Sequence, residues 1–148
     1  MRILITGING FIGQHLAATL LKKGHFIAGL GRSKKCKVAN ISTYYSGSVL
    51  DKRLVEKATK DVDVVIHLAA LTSHEDIIDN RSATLETNFL GTKNVLGAFS
   101  KSKTAKKFLY SSTGKVYGKI MHLPISENHP INPLNILGKS KLITEKLI

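Results

Sequence analysis

The chain is short of several things. It has one cysteine, Cys36, so no disulfide can form within it. A lone thiol suits a reducing compartment, and a cytoplasmic protein is expected. There are three prolines, Pro124, Pro130 and Pro133, all in or beside one polar stretch from 112 to about 132. That stretch reads as a loop and leaves the rest of the chain open to helices and strands. Aromatic residues make up 6%, and none interleaves with the basic residues as a base-stacking platform would need. No apolar run approaches the length of a membrane span, so no membrane partner is expected. The first apolar stretch, four residues followed at once by a glycine turn, is too short for the core of a secretion signal. Acidic residues are scarce, 10 against 22 Lys and Arg, for a formal charge of +12. The excess is compatible with nucleic acid, anionic ligands or solubility. The lysines are dispersed, many at expected helix ends where cations suit the dipole, so nucleic-acid binding is not expected. Six histidines (15, 25, 67, 74, 122 and 129) show no metal-ligand spacing with an acid or cysteine, and no metal site is expected.

What is there is enough for one domain, residues 1–148, with 43% hydrophobic and 22% charged residues. Strand and helix signals alternate, which predicts a parallel sheet covered by helices. Strands are expected at about 2–6, 25–30, 43–46, 62–70 and 107–111. The fourth, Val62 to Ala70, is a nearly continuous apolar run suited to burial on both faces. Helices are expected at about 11–23, stopped by Gly24, and at 51–60 with Asp51 as its cap. A long helix is expected at 82–101, its stripe formed by Leu85, Phe89, Thr92, Val95, Leu96 and Phe99 with Asn88 on the edge. A last helix starts near 134–137. Its apolar residues Leu142, Ile143, Leu147 and Ile148 predict an uncovered face.

The first strand runs straight into Thr6-Gly7-Ile8-Asn9-Gly10-Phe11-Ile12-Gly13, and that runs into a helix. A strand, a glycine turn and a helix start in succession make a phosphate site, because backbone amides and the helix dipole meet the anion where glycine lets the chain come close. The expected ligand is the pyrophosphate of a dinucleotide. On this motif alone a merely connecting turn stays open.

Four later motifs join this one in order: His67-Leu68-Ala69-Ala70, Asn88-Phe89-Leu90-Gly91-Thr92, Ser111 to Gly118, and Gly138-Lys139-Ser140-Lys141. With them the chain resembles the extended short-chain dehydrogenases/reductases, and within these the NAD-dependent epimerase/dehydratase family, along essentially its whole length. The resemblance implies an α/β fold with a Rossmann-type doubly wound parallel sheet, a dinucleotide cofactor and a nucleotide-sugar substrate. It implies that Gly7, Gly10, Phe11, Ile12 and Gly13 line the pyrophosphate, and that Ser48 and Val49 lie by the adenine. Leu68, Ala69 and Ala70 would pass under the ribose and nicotinamide side. Asn88 would hold the helix geometry near the site. Thr113 would meet the substrate oxygen, and Lys141 would bind the nicotinamide ribose. It also implies a longer protein, so that the 148 residues are a cofactor-binding portion truncated before the substrate domain, and a homo-oligomer built through the helices at about 82–101 and 137–148.

The chain departs from the family pattern at two further places. The catalytic tyrosine four residues before Lys141 is Leu137. Leucine carries no proton, and losing a positioned acid–base group costs on the order of 10²–10⁴ in rate. Tyr117 is a separate element, read as loop packing. After the second strand the chain reads Leu30-Gly31-Arg32-Ser33-Lys34, without the acid that holds the ribose hydroxyls of NAD. Arg32 stands where a guanidinium can clamp a 2′-phosphate, so NADP is expected over NAD. The two functional expectations are an epimerase/dehydratase-type oxidoreductase that is impaired or inactive at Leu137, and a non-catalytic dinucleotide-binding redox sensor or regulatory protein. His67 is expected to be a hydrogen-bonded structural histidine. His74, Glu75 and Asp76 follow strand four, where ligands approach, or form a polar helix start. Cys36, among Lys34, Lys35 and Lys37, is read as incidental.

Overall fold

The computed structural model describes residues 1–73 and 78–148. His74, Glu75 and Asp76 lie outside the described residues. Five strands, β1 (Arg2–Thr6), β2 (Phe26–Gly31), β3 (Thr43–Ser46), β4 (Val64–His67) and β5 (Lys107–Tyr110), form one sheet in the order β3-β2-β1-β4-β5. All neighbours pair in parallel, with Leu4 opposite Ala28 on one side and Val65 on the other. The strand order reverses between β1 and β4. In open α/β sheets a crevice forms at the carboxyl ends of the strands at that point.

Alternation along the strands loads both faces. Ile3, Ile5, Ile27 and Val64 pack on one face with Ala17 of α1 (Phe11–Lys22). Leu4, Leu30 and Val65 pack on the other with Val55 of α2 (Lys52–Thr59). The Asp51 carboxylate accepts the Leu54 amide 3.1 Å away, the expected cap of α2.

β4 is shorter than the apolar run suggests. It ends at His67 because both partners end there, β1 at Thr6 and β5 at Tyr110. Leu68, Ala69 and Ala70 therefore leave the sheet. The long helix also departs from simple periodicity. It opens as α3 (Arg81–Leu85), widens into a π turn (Glu86–Gly91) and continues as α4 (Thr92–Lys101). The widened turn rotates the inward face, so Leu85 is exposed, while Thr84, Asn88 and Thr92 are buried. Asn88 is thus at the centre of the packed face and not on its edge. The last helix, α5 (Ile136–Glu145), is capped by Asn135, whose side chain accepts the Gly138 amide at 2.9 Å. It turns Leu137, Gly138, Ser140, Lys141 and Thr144 inward. Its outer Ile143 is exposed, as are Leu147 and Ile148 beyond it. Among the described residues no helix is long and apolar enough to cross a membrane.

Candidate functional site

The turn from β1 to α1 is built by its glycines. Gly7 sits at φ +70°, a left-handed conformation that favours glycine. A Cβ there would lie 2.8 Å from the Ala69 nitrogen, and one on Gly13 would lie 2.4 Å from the Gly7 carbonyl. Bare backbone at both positions lets the turn lie against the segment that follows β4 and lets α1 start against the residues that follow β1. Among the described residues, no side chain caps α1. The first amides of a helix have no intrahelical acceptor, so those at Phe11, Ile12 and Gly13 are available to an anion.

These residues line a cleft of about 600 Å³ at the switch point, a size typical of small-molecule sites. Gly7, Gly10, Phe11, Ile12, Gly13, Arg32, Ser48, Val49, Leu68, Ala69, Ala70, Thr113, Leu137 and Lys141, each a candidate from the sequence, all line it. Asn88 does not. It lies behind the wall, its Oδ1 accepting the Leu71 amide at 2.8 Å and its Nδ2 donating to the Leu71 carbonyl at 3.1 Å and to Ser140 Oγ at 3.3 Å. It ties the segment after β4 to α5, a shaping role and not a contact with the cleft. Asn9, Ser33, Thr87, Ser111 and Ser112 also line the cleft and were not singled out from the sequence. Asn9, Ser111 and Ser112 lie inside motifs given above, Ser33 adjoins Arg32, and Thr87 adjoins Asn88. That adjacency is the one signal available for them.

Among the described residues, the charges that line the cleft are of one sign. Among the described lining residues there is no carboxylate, and the charged side chains are Arg32 and Lys141. Arg32 follows β2, on one side of the glycine turn. Lys141 lies on the other side, where its Nζ donates to the carbonyl of Ser111, just past β5, at 2.7 Å. It also stands 4.5 Å from the centre of the Tyr110 ring. Burial pushes the Lys141 ammonium down to about 8, against the opposing pull of Glu145. Burial likewise pushes the Tyr110 phenol up to about 12. The Thr144 and Thr92 side chains near its hydroxyl act in the opposite direction. Ser112 donates to Glu145. Thr113 Oγ1 accepts the Lys115 amide at 3.3 Å, which leaves its own proton for another acceptor. Tyr117 lies outside the cleft lining and packs edge-on against His129.

His67 is the structural histidine expected. It is fully buried. Thr92 Oγ1 donates to the Asn88 carbonyl at 2.7 Å, so it accepts from His67 Nε2 at 2.8 Å. Thr6 Oγ1 accepts the Ala69 amide at 3.2 Å, so its proton goes to His67 Nδ1 at 2.6 Å. These roles assign the imidazole proton to Nε2. Burial, with the nearby charge of Lys141, lowers this histidine to about 3.

Strand order and a glycine turn at its switch point define a Rossmann-type α/β domain. Residues 3–148 match the NAD dependent epimerase/dehydratase family, and the chain belongs to it. It is 33% identical over 151 residues to the UDP-glucose 4-epimerase of Halalkalibacterium halodurans, covering 99% of this chain and 45% of that protein. It is 40% identical over 125 residues to the UDP-N-acetyl-alpha-D-glucosaminuronate decarboxylase of Bacillus cytotoxicus, covering 80% and 38%. The crystal structure of UDP-glucose 4-epimerase from Bifidobacterium longum in complex with NAD+ and UDP matches with a TM-score of 0.88 at 29% identity, covering 99% of this chain and 48% of that one. The chain spans about half the length of these relatives.

Proposed function

We propose that this chain binds a nicotinamide dinucleotide, NADP in preference to NAD, and forms the cofactor-holding part of an oxidoreductase of nucleotide sugars whose acid–base step is impaired. The observation that carries the cofactor reading is a cleft with bare backbone at its glycine turn and cations on both sides, with no carboxylate among its described lining residues. The amides at Phe11, Ile12 and Gly13 would take the pyrophosphate. Ser48 and Val49 would border the adenine, although Ser48 Oγ already accepts the Leu50 amide at 3.2 Å. Arg32 would pair with a 2′-phosphate, where an acid would repel it. Leu68, Ala69 and Ala70 would run under the ribose and nicotinamide, with Lys141 on the ribose hydroxyls.

Bound there, the nicotinamide ring supplies hydride transfer. The chain's residues supply less than that reaction needs. Thr113 has a hydroxyl proton to direct at a substrate oxygen. Lys141 adds a cation to the same cleft. Leu137, four residues before Lys141 on the same face of α5, moves no proton. This favours the second reading too, a dinucleotide-binding sensor or regulatory protein without catalysis. The nucleotide-sugar part rests on the family and on relatives such as the epimerase solved with NAD+ and UDP. Self-association through the helices at 82–101 and 137–148 fits the exposure of Leu85, Leu90 and Ile143.

Titration calorimetry with NADP+ and NAD+ tests the cofactor reading. NADP+ should bind at least about tenfold tighter, and Arg32→Ala should erase the difference, since a charge-assisted pair contributes roughly 1.5–3 kcal/mol. Equal or tighter binding of NAD+ by the unaltered chain refutes it.

A further inference from the structure

The segment that carries Arg32 has no regular structure between β2 and β3, yet it is held at several points. The Tyr44 hydroxyl, on β3, lies 2.6 Å from the Ser33 carbonyl and 2.9 Å from the Gly31 carbonyl, its proton serving one at a time. Ser46 Oγ donates to the same Ser33 carbonyl at 3.0 Å. From the glycine turn, Asn9 Nδ2 donates to the Tyr44 hydroxyl and to the Lys35 carbonyl, each at 3.1 Å. Its Oδ1 accepts the Lys37 amide at 2.8 Å. Asn9 lines the cleft, but its two donors and its acceptor are all committed to this loop. Gly31 lies beside these tethers. A Cβ on Gly31 would meet the Tyr44 hydroxyl at 3.2 Å and Asn9 Nδ2 at 3.6 Å. A side chain at position 31 would therefore press on the network that the bare backbone admits.

We propose that Tyr44 and Asn9 are positioning residues for cofactor choice: they hold Gly31–Ser33 in the one shape that presents Arg32 and Ser33 to a phosphomonoester on the adenosine ribose. This rests on the NADP reading above and adds its mechanism. A guanidinium on a loose loop would have to be ordered when the phosphate arrives, and each side chain immobilised at that moment weakens binding. Here the ordering is done in advance by hydrogen bonds from β3 and from the turn that holds the pyrophosphate. Both ends of the dinucleotide's phosphate system are thereby referenced to the same backbone. Neither Tyr44 nor Ser46 lines the cleft, so an effect of Ser46 on the ligand must pass through the loop, and one of Tyr44 through the loop or Asn9.

The test is titration calorimetry on the chain with NADP+, NAD+ and adenosine 2′,5′-bisphosphate, for Tyr44→Phe, Ser46→Ala and Arg32→Ala, with melting followed by circular dichroism. Tyr44→Phe is expected to weaken NADP+ and the bisphosphate about fivefold, the worth of one or two net hydrogen bonds, and to change NAD+ by less than about twofold. Ser46→Ala should act in the same direction by a smaller factor, and serves if Tyr44→Phe does not fold. A general loss of structure would weaken all three ligands alike, which overturns the proposal. So does an unchanged NADP+ to NAD+ ratio in Tyr44→Phe and Ser46→Ala while Arg32→Ala abolishes the preference. If Arg32→Ala also leaves the ratio unchanged, the cofactor reading itself falls, and the positioning role with it.

Discussion

Acid should destabilise this protein through one buried side chain, His67. His67 has both ring nitrogens engaged, Nδ1 by Thr6 and Nε2 by Thr92, and no exposed surface. A second proton would have to go on Nδ1, where the Thr6 hydroxyl already donates. Folding therefore holds the imidazole neutral, down to about 3, while the unfolded chain takes up that proton near the ordinary 6.5. Between those values the unfolded chain binds more protons, so stability rises with pH across the window and is lost on acidification. The contribution is fully present above 6.5. At pH 5 the loss from this group is about 2 kcal/mol, or roughly 8 °C in melting temperature for a domain of this size. His67→Gln keeps a donor for Thr92 and cannot titrate. Urea melts of both proteins at pH 7 and pH 5 separate the term: the variant starts less stable, but its further loss on going to pH 5 should be smaller by about 2 kcal/mol. Equal losses in the two proteins refute the wiring of His67 described above.

The glycine turn offers a graded comparison. Gly13→Ala sets a methyl group 2.4 Å from the Gly7 carbonyl, while Gly10→Ala meets the same atom at 3.2 Å. Gly13→Ala should cost about 1–3 kcal/mol in urea melts and Gly10→Ala clearly less, and equal stabilities would count against the close approach. At the other end of the cleft, Leu137→Tyr puts a phenol one helical turn from the Lys141 cation. Its absorbance titration should fall below the ordinary value for a tyrosine, and adding Lys141→Met should remove that fall. A phenol that titrates the same with and without Lys141 means the pair does not couple, and the proposed impairment at Leu137 then falls.

Much of the fold is legible in local chemistry. The strand-glycine-helix succession at residues 2–22, the Asp51 cap and the last helix's start near residue 136 follow from neighbours in sequence, because capping, turn geometry and periodicity act over a few residues. Where the reading went astray, a distant partner decided. β4 stops at His67 because β1 and β5 stop beside it, so Leu68–Ala70 became cleft wall and not strand. The long helix widens at Glu86–Gly91, a change of hydrogen-bond register that no 3.6-residue pattern announces. Asn88 then faces Leu71 and Ser140, and the exposed Leu85 leaves its place in the predicted stripe.

By itself, then, the sequence determined the parallel α/β architecture, the strand-glycine-helix turn at Gly7–Gly13, a leucine at position 137 and an arginine, not an acid, directly after β2. These depend on which residues are present and how they follow one another. Only the tertiary structure decided that Arg32 and Lys141 flank one cleft from opposite sides, that His67 is locked between Thr6 and Thr92, and that Tyr44 and Asn9 hold the loop bearing Arg32. Those arrangements join side chains 25 to 61 positions apart in the case of His67, and 35 apart for Asn9 and Tyr44. Chain order carries no signal for such pairs, since it is the packing of strands and helices that brings their polar atoms within reach of one another.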